Sequence, residues 1–439
     1  MAQTLTTTLR HIVDPLMARR LALAGALYQR LPTLNPLAVS RTVLPLPVLL
    51  LAKLLTLVCL RSVWTSLPAP FLPFVPLFDQ LGAPDLVQRA FQVVFLVAAV
   101  ALLINQSVRT ACLTLGAVVL LALFSHRGLY ANNIFFAGCL LLLAGLTVPG
   151  RRPRLLQLQV ALLYFGAGFN KLLDVDWRSG QFFAYWMERI PDYWRQSLLH
   201  GMPHALLLHV SAWLPSGLLW LLLGWGTLVV ELGLGVGFLV RRFNRIAIVV
   251  GLCFHTALLV LTGRTYGFFY WAPISYLAFV EWPPAPCTML YDGASGFCNV
   301  TRRFFERIDF DHIATWVPSQ SIPPAALPVG VTASALLERA YLVVARRVYG
   351  GFSAFKWLLA YLPITYFLVL ALLMLAKGDG DLRPVVAVLL LLLASPLFTP
   401  VGNAGYALIA RHRHRLSGNR CELSPALRPP DPNSFSPDV

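Results

Sequence analysis

Residues 162–177 read LLYFGAGFNKLLDVDW, an apolar segment that ends in an amide, a lysine and two aspartates. Small residues at Gly166, Ala167 and Gly168 allow a neighbouring helix or a flat ligand to approach the backbone. Lys171 lies where hydrocarbon should give way to water, and an ionisable group at that depth is a functional candidate. A lysine near a helix end can equally extend to the interface, so both roles stay open. The segment predicts a membrane helix with a candidate site at its end.

The composition is that of a membrane protein. Of 439 residues, 57% are hydrophobic and 12% are charged, and the mean hydropathy is +0.68. A soluble core cannot bury that much apolar surface. The net charge of +16 comes from short basic clusters between apolar runs, which are orientation signals and not a nucleic-acid surface. No nucleic-acid partner is therefore expected, and seven cysteines without C-x-x-C spacing predict neither a disulfide framework nor a metal site.

Eight apolar runs predict the core of a mostly α, polytopic helical membrane protein with eight transmembrane helices. They cover residues 43–60, 88–104, 108–124, 134–148, 155–173, 215–239, 243–262 and 267–281. Arg109 and the basic clusters at 151–154 and 241–245 fall in connections that the positive-inside rule assigns to the cytoplasm, together with both termini. Lys171 is then expected at the outer end of the fifth helix, in contact with the lipid bilayer.

The remaining segments divide the chain into further regions. We expect a basic interfacial lead-in over 1–42, the transmembrane domain over 43–282, a small α/β domain over 285–355, a pair of apolar helices within 356–400, a basic helix within 401–423 and a disordered tail over 424–439. The runs 357–376 and 385–398 could be a membrane hairpin or buried helices, and we favour the hairpin. A strand over 288–291, a turn at Asp292-Gly293 and a helix over 300–307 are predicted in the α/β domain.

Two ionisable residues inside the predicted helices join Lys171 as site candidates. Glu231 lies deep in its run, where an unpaired carboxylate would cost roughly 2.5 to 3.5 kcal/mol. It is therefore expected to be protonated, paired or next to a polar cavity, with a structural hydrogen bond from Trp225 or Asn170 as the alternative. His255 could contact a ligand or relay a proton, or it could be a hydrogen-bonded core histidine.

Other polar residues have simpler interpretations. Lys53 is expected to reach the interface or to pair with Glu231. Asn132 and Asn133 could cap the fourth helix or contact a ligand. Three histidines, at 200, 204 and 209, have spacings that suit a metal ion, but Pro203 is expected to interrupt their helix, and no metal site is predicted.

The sequence Ala167-Gly168-Phe169-Asn170-Lys171-Leu172, followed by Asp176-Trp177 and Gly180, resembles the vitamin K-dependent gamma-carboxylase family and its bacterial HTTM-type relatives. The resemblance covers about residues 10–281. It extends to Asn132-Asn133, Glu231, Phe254-His255 and Tyr266-Gly267-Phe268. In that family the lysine matching Lys171 is the base that deprotonates the vitamin K hydroquinone. The resemblance therefore implies catalytic roles for Lys171, Glu231 and His255, and substrate contacts from Asn132, Asn133, Asn170, Trp177 and Tyr266.

Two features depart from the carboxylases. Ile134 stands where they carry a histidine implicated in catalysis, and no outer connection is long enough for their peptide-binding lumenal domain. Glutamate carboxylation is therefore not expected. The resemblance instead implies a protein of the bacterial inner membrane that acts on a quinone or another lipid-soluble substrate with Lys171 as base.

The sequence Tyr291-Asp292-Gly293-Ala294-Ser295-Gly296-Phe297-Cys298 resembles the DCC-type thiol-disulfide oxidoreductases, a thioredoxin-like family with the motif Tyr-Asp-Gly-x-Cys-x-x-Cys. Ser295 stands where the first cysteine should be, and a hydroxyl cannot replace the attacking thiolate at neutral pH. The resemblance implies a degenerate thioredoxin-like domain. Two alternatives to the quinone-type function stay open for the whole protein. One is a non-catalytic membrane scaffold whose degenerate thioredoxin-like domain binds a cytoplasmic protein partner, and the other, less favoured, is a working oxidoreductase in which Cys298 is the redox residue.

Overall fold

The computed structural model describes residues 35–39, 44–66, 84–125, 127, 130–189, 198–262, 268–282, 287–323, 326–376 and 382–417. The chain is mostly helical and contains a four-stranded mixed sheet in this part. Of the predicted lead-in only residues 35–39 are described. The predicted tail from 424 lies wholly outside the described residues.

All eight apolar runs coincide with helices. In chain order the helices of this region are α1 Leu46–Ser66, α2 Pro84–Leu103, α3 Val108–Ser125, α4 Asn132–Leu146, α5 Arg154–Leu173, α6 Val175–Ser179, α7 Gln181–Glu188, α8 Leu198–Trp213, α9 Leu218–Leu239, α10 Asn244–Thr262 and α11 Phe268–Ser275. A 3₁₀ turn over Tyr276–Phe279 extends α11. The helical character of the runs is therefore confirmed, with boundaries shifted by a few residues.

Eight membrane crossings are not confirmed. Four helices of the described chain are long and apolar enough to cross a membrane, namely α2, α3, α9 and α10. The apolar part of α1 and the whole of α4 are too short to cross a membrane upright. A 15-residue helix such as α4 is only about 22 Å long, whereas the hydrocarbon core is about 30 Å thick. Polar residues at both ends of α5, such as Gln157 and Lys171, lower its hydropathy. The described part of the chain thus supports several apolar spans and does not confirm the predicted number.

The α/β domain contains the elements β1 Cys287–Tyr291, α12 Gly296–Ile308, β2 Ala314–Pro318, α13 Ala333–Glu338, β3 Tyr341–Val344 and β4 Arg347–Gly350. The strand order is β2-β1-β3-β4, with β1 parallel to β2 and antiparallel to β3. The predicted strand at 288–291 is confirmed. The helix predicted to begin at 300 begins at 296, because the Ser295 hydroxyl caps it by accepting a hydrogen bond from the backbone N–H of Cys298 at 3.4 Å.

Four helices complete the described part of the chain: α14 Phe352–Tyr361, α15 Pro363–Leu375, α16 Arg383–Ala394 and α17 Thr399–Ser417. The axis bends by 83° between α14 and α15 and by 71° between α16 and α17, so that up to six spans result if each bent pair is one span. The helices α15 and α16 contact each other and pack on the bundle. The Arg383 guanidinium donates to the Tyr270 hydroxyl at 3.2 Å, and that hydroxyl donates to the Leu373 carbonyl at 3.3 Å.

Buried contacts tie the α/β domain to the helical bundle. The Asp311 carboxylate accepts a hydrogen bond from the Val39 backbone N–H at 2.7 Å, and the Trp282 indole donates to the Tyr361 carbonyl at 2.9 Å. One continuous set of buried apolar residues includes both Leu51 of α1 and Met289 of β1. The two regions therefore share a core.

Candidate functional site

The ion pair between Lys171 and Glu231 is the centre of the candidate site. The Lys171 Nζ atom lies 2.7 Å and 2.9 Å from the two carboxylate oxygens of Glu231. The two side chains are 21% and 10% exposed, so the pair is largely withdrawn from solvent. The Lys171 Nζ atom also lies 4.9 Å from the centre of the Trp177 ring, within range of a cation–π contact. The structure thus brings three of the predicted site residues into contact.

Close packing of α5 on α9 makes this ion pair possible. A Cβ atom at Gly168 would lie 2.8 Å from the Leu232 side chain and 3.1 Å from its backbone nitrogen. Only a residue without a side chain fits that contact, as in other closely packed membrane helices. Gly168 precedes Lys171 by three residues and therefore lies on the same face of α5. The small-residue segment predicted to admit a helix or a ligand admits the helix α9.

Two expectations about partners are wrong. Lys53 does not pair with Glu231, because its fully buried ammonium donates to the backbone carbonyls of Pro36 and Leu103, each at 2.9 Å, and to that of Ala38. Neither Trp225 nor Asn170 is the hydrogen-bond partner of Glu231; the lysine of the adjacent helix takes that place. A carboxylate inside an apolar helix is stabilised more by a cationic donor than by a neutral one, since the charge-assisted hydrogen bond is stronger.

His255 belongs to a second buried cluster. Its Nε2 atom is hydrogen-bonded to the Tyr164 hydroxyl at 2.7 Å, and that hydroxyl is also hydrogen-bonded to the Tyr276 hydroxyl. All three side chains are less than 9% exposed. A Cβ atom at Gly251 would lie 2.3 Å from the Tyr276 hydroxyl, so this glycine of α10 makes room for the tyrosine. His255 is therefore a hydrogen-bonded histidine that joins α5, α10 and the turn after α11.

The two clusters follow the same face of α5. Tyr164 precedes Lys171 by seven residues, which is two helical turns or roughly 10 Å along the axis. Lys171, Glu231 and His255 thus lie along one polar line through the bundle, but direct contact is limited to the first two.

The structure places the other predicted contact residues as follows. Asn132 and Asn133 begin α4 but do not cap it, since the N-cap is Ala131 and no side chain provides a cap hydrogen bond. Asn170 is exposed. Trp177 is half-buried and stacks on Phe182 with ring centres 4.0 Å apart. Tyr266 lies outside the described residues.

The helix that carries the three histidines is continuous. The helix α8 runs through Pro203, which lies inside it, so the expected interruption is wrong. A proline there removes one backbone hydrogen bond without ending the helix. His204 contacts the Met187 carbonyl at 3.4 Å, and His209 accepts a hydrogen bond from the Trp213 indole at 3.1 Å. The side chain of His200 is not among those described. Within the described chain no three His, Cys, Asp or Glu residues form a group that could hold a metal ion.

Cys298 lines a pocket in the α/β domain. The pocket has a volume of about 190 Å³ and an aromatic and aliphatic wall formed by Tyr291, Phe297, Thr301, Trp316, Ala340, Phe355, Tyr406, Ile409 and Ala410. Its last three residues come from α17, which closes one side. Burial raises the pKa of the Tyr291 hydroxyl, so this phenol stays neutral at physiological pH. Cys298 has a free thiol and is half-buried.

Sequence reasoning missed Tyr164 and Tyr276. Both occur in apolar runs, where an aromatic residue is usually interpreted as packing. The available signal was the phenol itself, because a buried hydroxyl requires a hydrogen-bond partner. His255 was the predicted polar residue that could supply it.

Comparisons of the chain with protein-family models, with curated proteins and with solved structures found no match. The class of protein is therefore defined by the fold and the site. Several helices are apolar and long enough to cross a membrane, as in an integral membrane protein, and an ion pair lies largely buried between two of the apolar helices.

Proposed function

We propose that the chain is an integral protein of the bacterial inner membrane that acts on a quinol or another lipid-soluble phenolic ligand at the Lys171–Glu231 pair. The observation that carries the proposal is this ion pair, 2.7 Å long and largely buried between apolar helices. The HTTM and carboxylase-like resemblance adds Lys171 as the base. Glutamate carboxylation is not part of the proposal, because Ile134 replaces the histidine of the carboxylases.

The pair can take a proton without burying net charge. When Lys171 passes a proton to Glu231, it becomes a neutral amine that can accept the proton of a ligand hydroxyl. The products are a phenolate beside an ammonium, and a protonated Glu231. One anion has replaced another beside the same cation, so the site stays neutral overall. This matters because an isolated charge in an apolar environment is costly.

The surroundings of the pair suit a lipid-soluble ligand. The stacked rings of Trp177 and Phe182 lie beside the ammonium and offer a flat face to an aromatic head group. The buried cluster of Tyr164, His255 and Tyr276 holds the helices in place behind the pair.

A phenolic probe tests the proposal. The purified protein in nanodiscs would be titrated with an alkyl-tailed nitrophenol, whose absorbance reports deprotonation, and with a short-chain quinone. We expect binding with a shift towards the phenolate in the wild type, and binding at least about tenfold weaker, without the shift, in Lys171→Gln and Glu231→Gln. The matched control is Arg302→Gln, which breaks the 2.8 Å ion pair with Glu306 in the α/β domain. Equal binding in all variants, or none in the wild type, would overturn the proposal.

For the α/β domain we propose a thioredoxin-like module of the DCC type that binds a protein partner and does not exchange disulfides. The strand order and the initial β-α-β unit support the fold. The Ser295 hydroxyl, placed as the helix cap where the family has a cysteine, supports the loss of exchange. Disulfide reductase activity that disappears in Cys298→Ser would contradict this role.

A further inference from the structure

A groove lies between α9 and α10, with a volume of about 580 Å³. Its wall is apolar and includes Val229 and Gly233 of α9, Phe243 in the turn that follows, and Ile246 of α10. Val229 and Ile246 are 66% and 61% exposed, which is expected of side chains in contact with hydrocarbon. The groove is therefore shaped and lined for an alkyl chain.

The floor of the groove is open because of a glycine. A Cβ atom at Gly233 would meet no other atom within 4 Å. Gly233 is also two residues from Glu231, which places it on the opposite side of α9 from the carboxylate. Neither Lys171 nor Glu231 lines the groove.

One end of the groove is basic. Phe243 belongs to the groove wall, and the Arg242 guanidinium carbon lies 4.6 Å from the centre of its ring. Arg245 is exposed one residue before Ile246, another wall residue. Glu281 is the acidic group that faces this end, and it is bound to Arg241 at 3.1 Å and to Arg152 at 2.9 Å. Because Glu281 is already paired with two arginines, the positive charges of Arg242 and Arg245 determine the charge at this end of the groove, which we call its mouth.

We propose that this groove binds an anionic phospholipid, with one acyl chain along α9 and α10 and the phosphate held by Arg242 and Arg245. Charge complementarity selects the occupant, since arginine forks match phosphate oxygens and a second negative charge in the head group adds to the attraction. Basic sites between membrane helices recognise anionic head groups in this way. A zwitterionic lipid fits the apolar wall equally well, but its head group is attracted less strongly to the arginines at the mouth.

Native mass spectrometry of the delipidated full-length protein would test this site, with titration by phosphatidylglycerol and by phosphatidylcholine of the same chain length. We expect one retained phosphatidylglycerol, with about a tenfold preference over phosphatidylcholine. Gly233→Leu places a side chain in the groove at a position where a Cβ atom has room, and should weaken phosphatidylglycerol binding at least about tenfold. Gly226→Leu is the matched control, because Gly226 is on the same helix, is equally open and does not line the groove.

The head-group half of the site has its own pair of variants. Arg242→Gln/Arg245→Gln should abolish the preference for phosphatidylglycerol, whereas Arg303→Gln/Arg307→Gln, which removes the same charge from exposed positions on α12, should keep it. Equal retention in Gly233→Leu and Gly226→Leu, or equal binding of the two lipids by the wild type, would overturn the proposal. Phenol binding at Lys171 should be unchanged in all four variants, so the two sites can fail independently.

Discussion

Two sets of ion pairs lie towards opposite ends of α5 and show how burial changes the contribution of an ion pair to stability. At one end Lys171 and Glu231 meet between helices with side chains 21% and 10% exposed. At the other end Arg152 and Arg241 share Glu281, and these side chains are 46%, 69% and 67% exposed. The distances are similar, between 2.7 and 3.1 Å. Solvent and salt weaken the exposed pairs, whereas the buried pair must keep both partners to avoid an isolated charge.

The largest expected effect comes from removing one partner of the buried pair. Glu231→Leu leaves the Lys171 ammonium without its carboxylate and should lower the free energy of unfolding by roughly 3 kcal/mol. The measurement is thermal or denaturant unfolding of the protein in detergent micelles. The double variant Lys171→Leu/Glu231→Leu should recover most of the loss, since no charge is then stranded. A loss in Glu231→Leu no greater than that in Glu281→Leu would break the comparison.

A smaller effect is expected at the neutral cluster behind the buried pair. Gly251→Ala forces the Tyr276 hydroxyl away from α10, because the new Cβ atom would lie 2.3 Å from it. We expect a loss of about 1–3 kcal/mol from overpacking, read from the same unfolding transition. Gly226→Ala, at an open position, should be neutral or slightly stabilising because alanine favours the helix. If the two substitutions behave alike, the Tyr164–His255–Tyr276 cluster does not depend on this contact.

The smallest effect should come from the exposed end. Glu281→Gln removes both arginine pairs at once, yet should change the free energy of unfolding by less than about 1 kcal/mol. Raising the salt concentration should diminish even this difference, because exposed pairs are screened. Unfolding curves at low and high salt for the wild type and Glu281→Gln provide the check. A loss comparable to that of Glu231→Leu would mean that the exposed pairs also stabilise the fold.

The helical pattern and the candidate site were largely predictable, for different reasons. Apolar runs define helices through composition alone, so all eight coincide with helices, but composition does not show how many cross the membrane. Lys171 and Glu231 were recognisable because each is costly alone in an apolar segment. Their pairing was not predicted, and for Lys53 the sequence left open both a position at the interface and a pairing with Glu231. Which cation meets Glu231 depends on the α5–α9 contact at Gly168, a property of two helices that are far apart in sequence.

The remaining errors have the same origin. Ser295 was recognised as the substitute for a cysteine, but its role as the cap of α12 required the helix boundary. For Asn132 and Asn133 the alternatives were a cap of α4 or a ligand contact, and the cap is wrong because the helix begins at Asn132 itself, after Ala131. Such assignments shift with a single residue of helix boundary, which sequence patterns place only within a few residues.

By itself, the sequence determined that the chain is rich in apolar helices, that basic residues cluster in their connections, and that Lys171, Glu231 and His255 are unusual in such a setting. These are local properties, set by hydrophobicity and by the cost of charge in hydrocarbon. Only the tertiary structure decided that Lys171 pairs with Glu231, that His255 bonds to Tyr164, and that an apolar groove lies between α9 and α10. Those features depend on which helix faces are in contact. Glycines such as Gly168 and Gly251 permit this contact because they have no side chain.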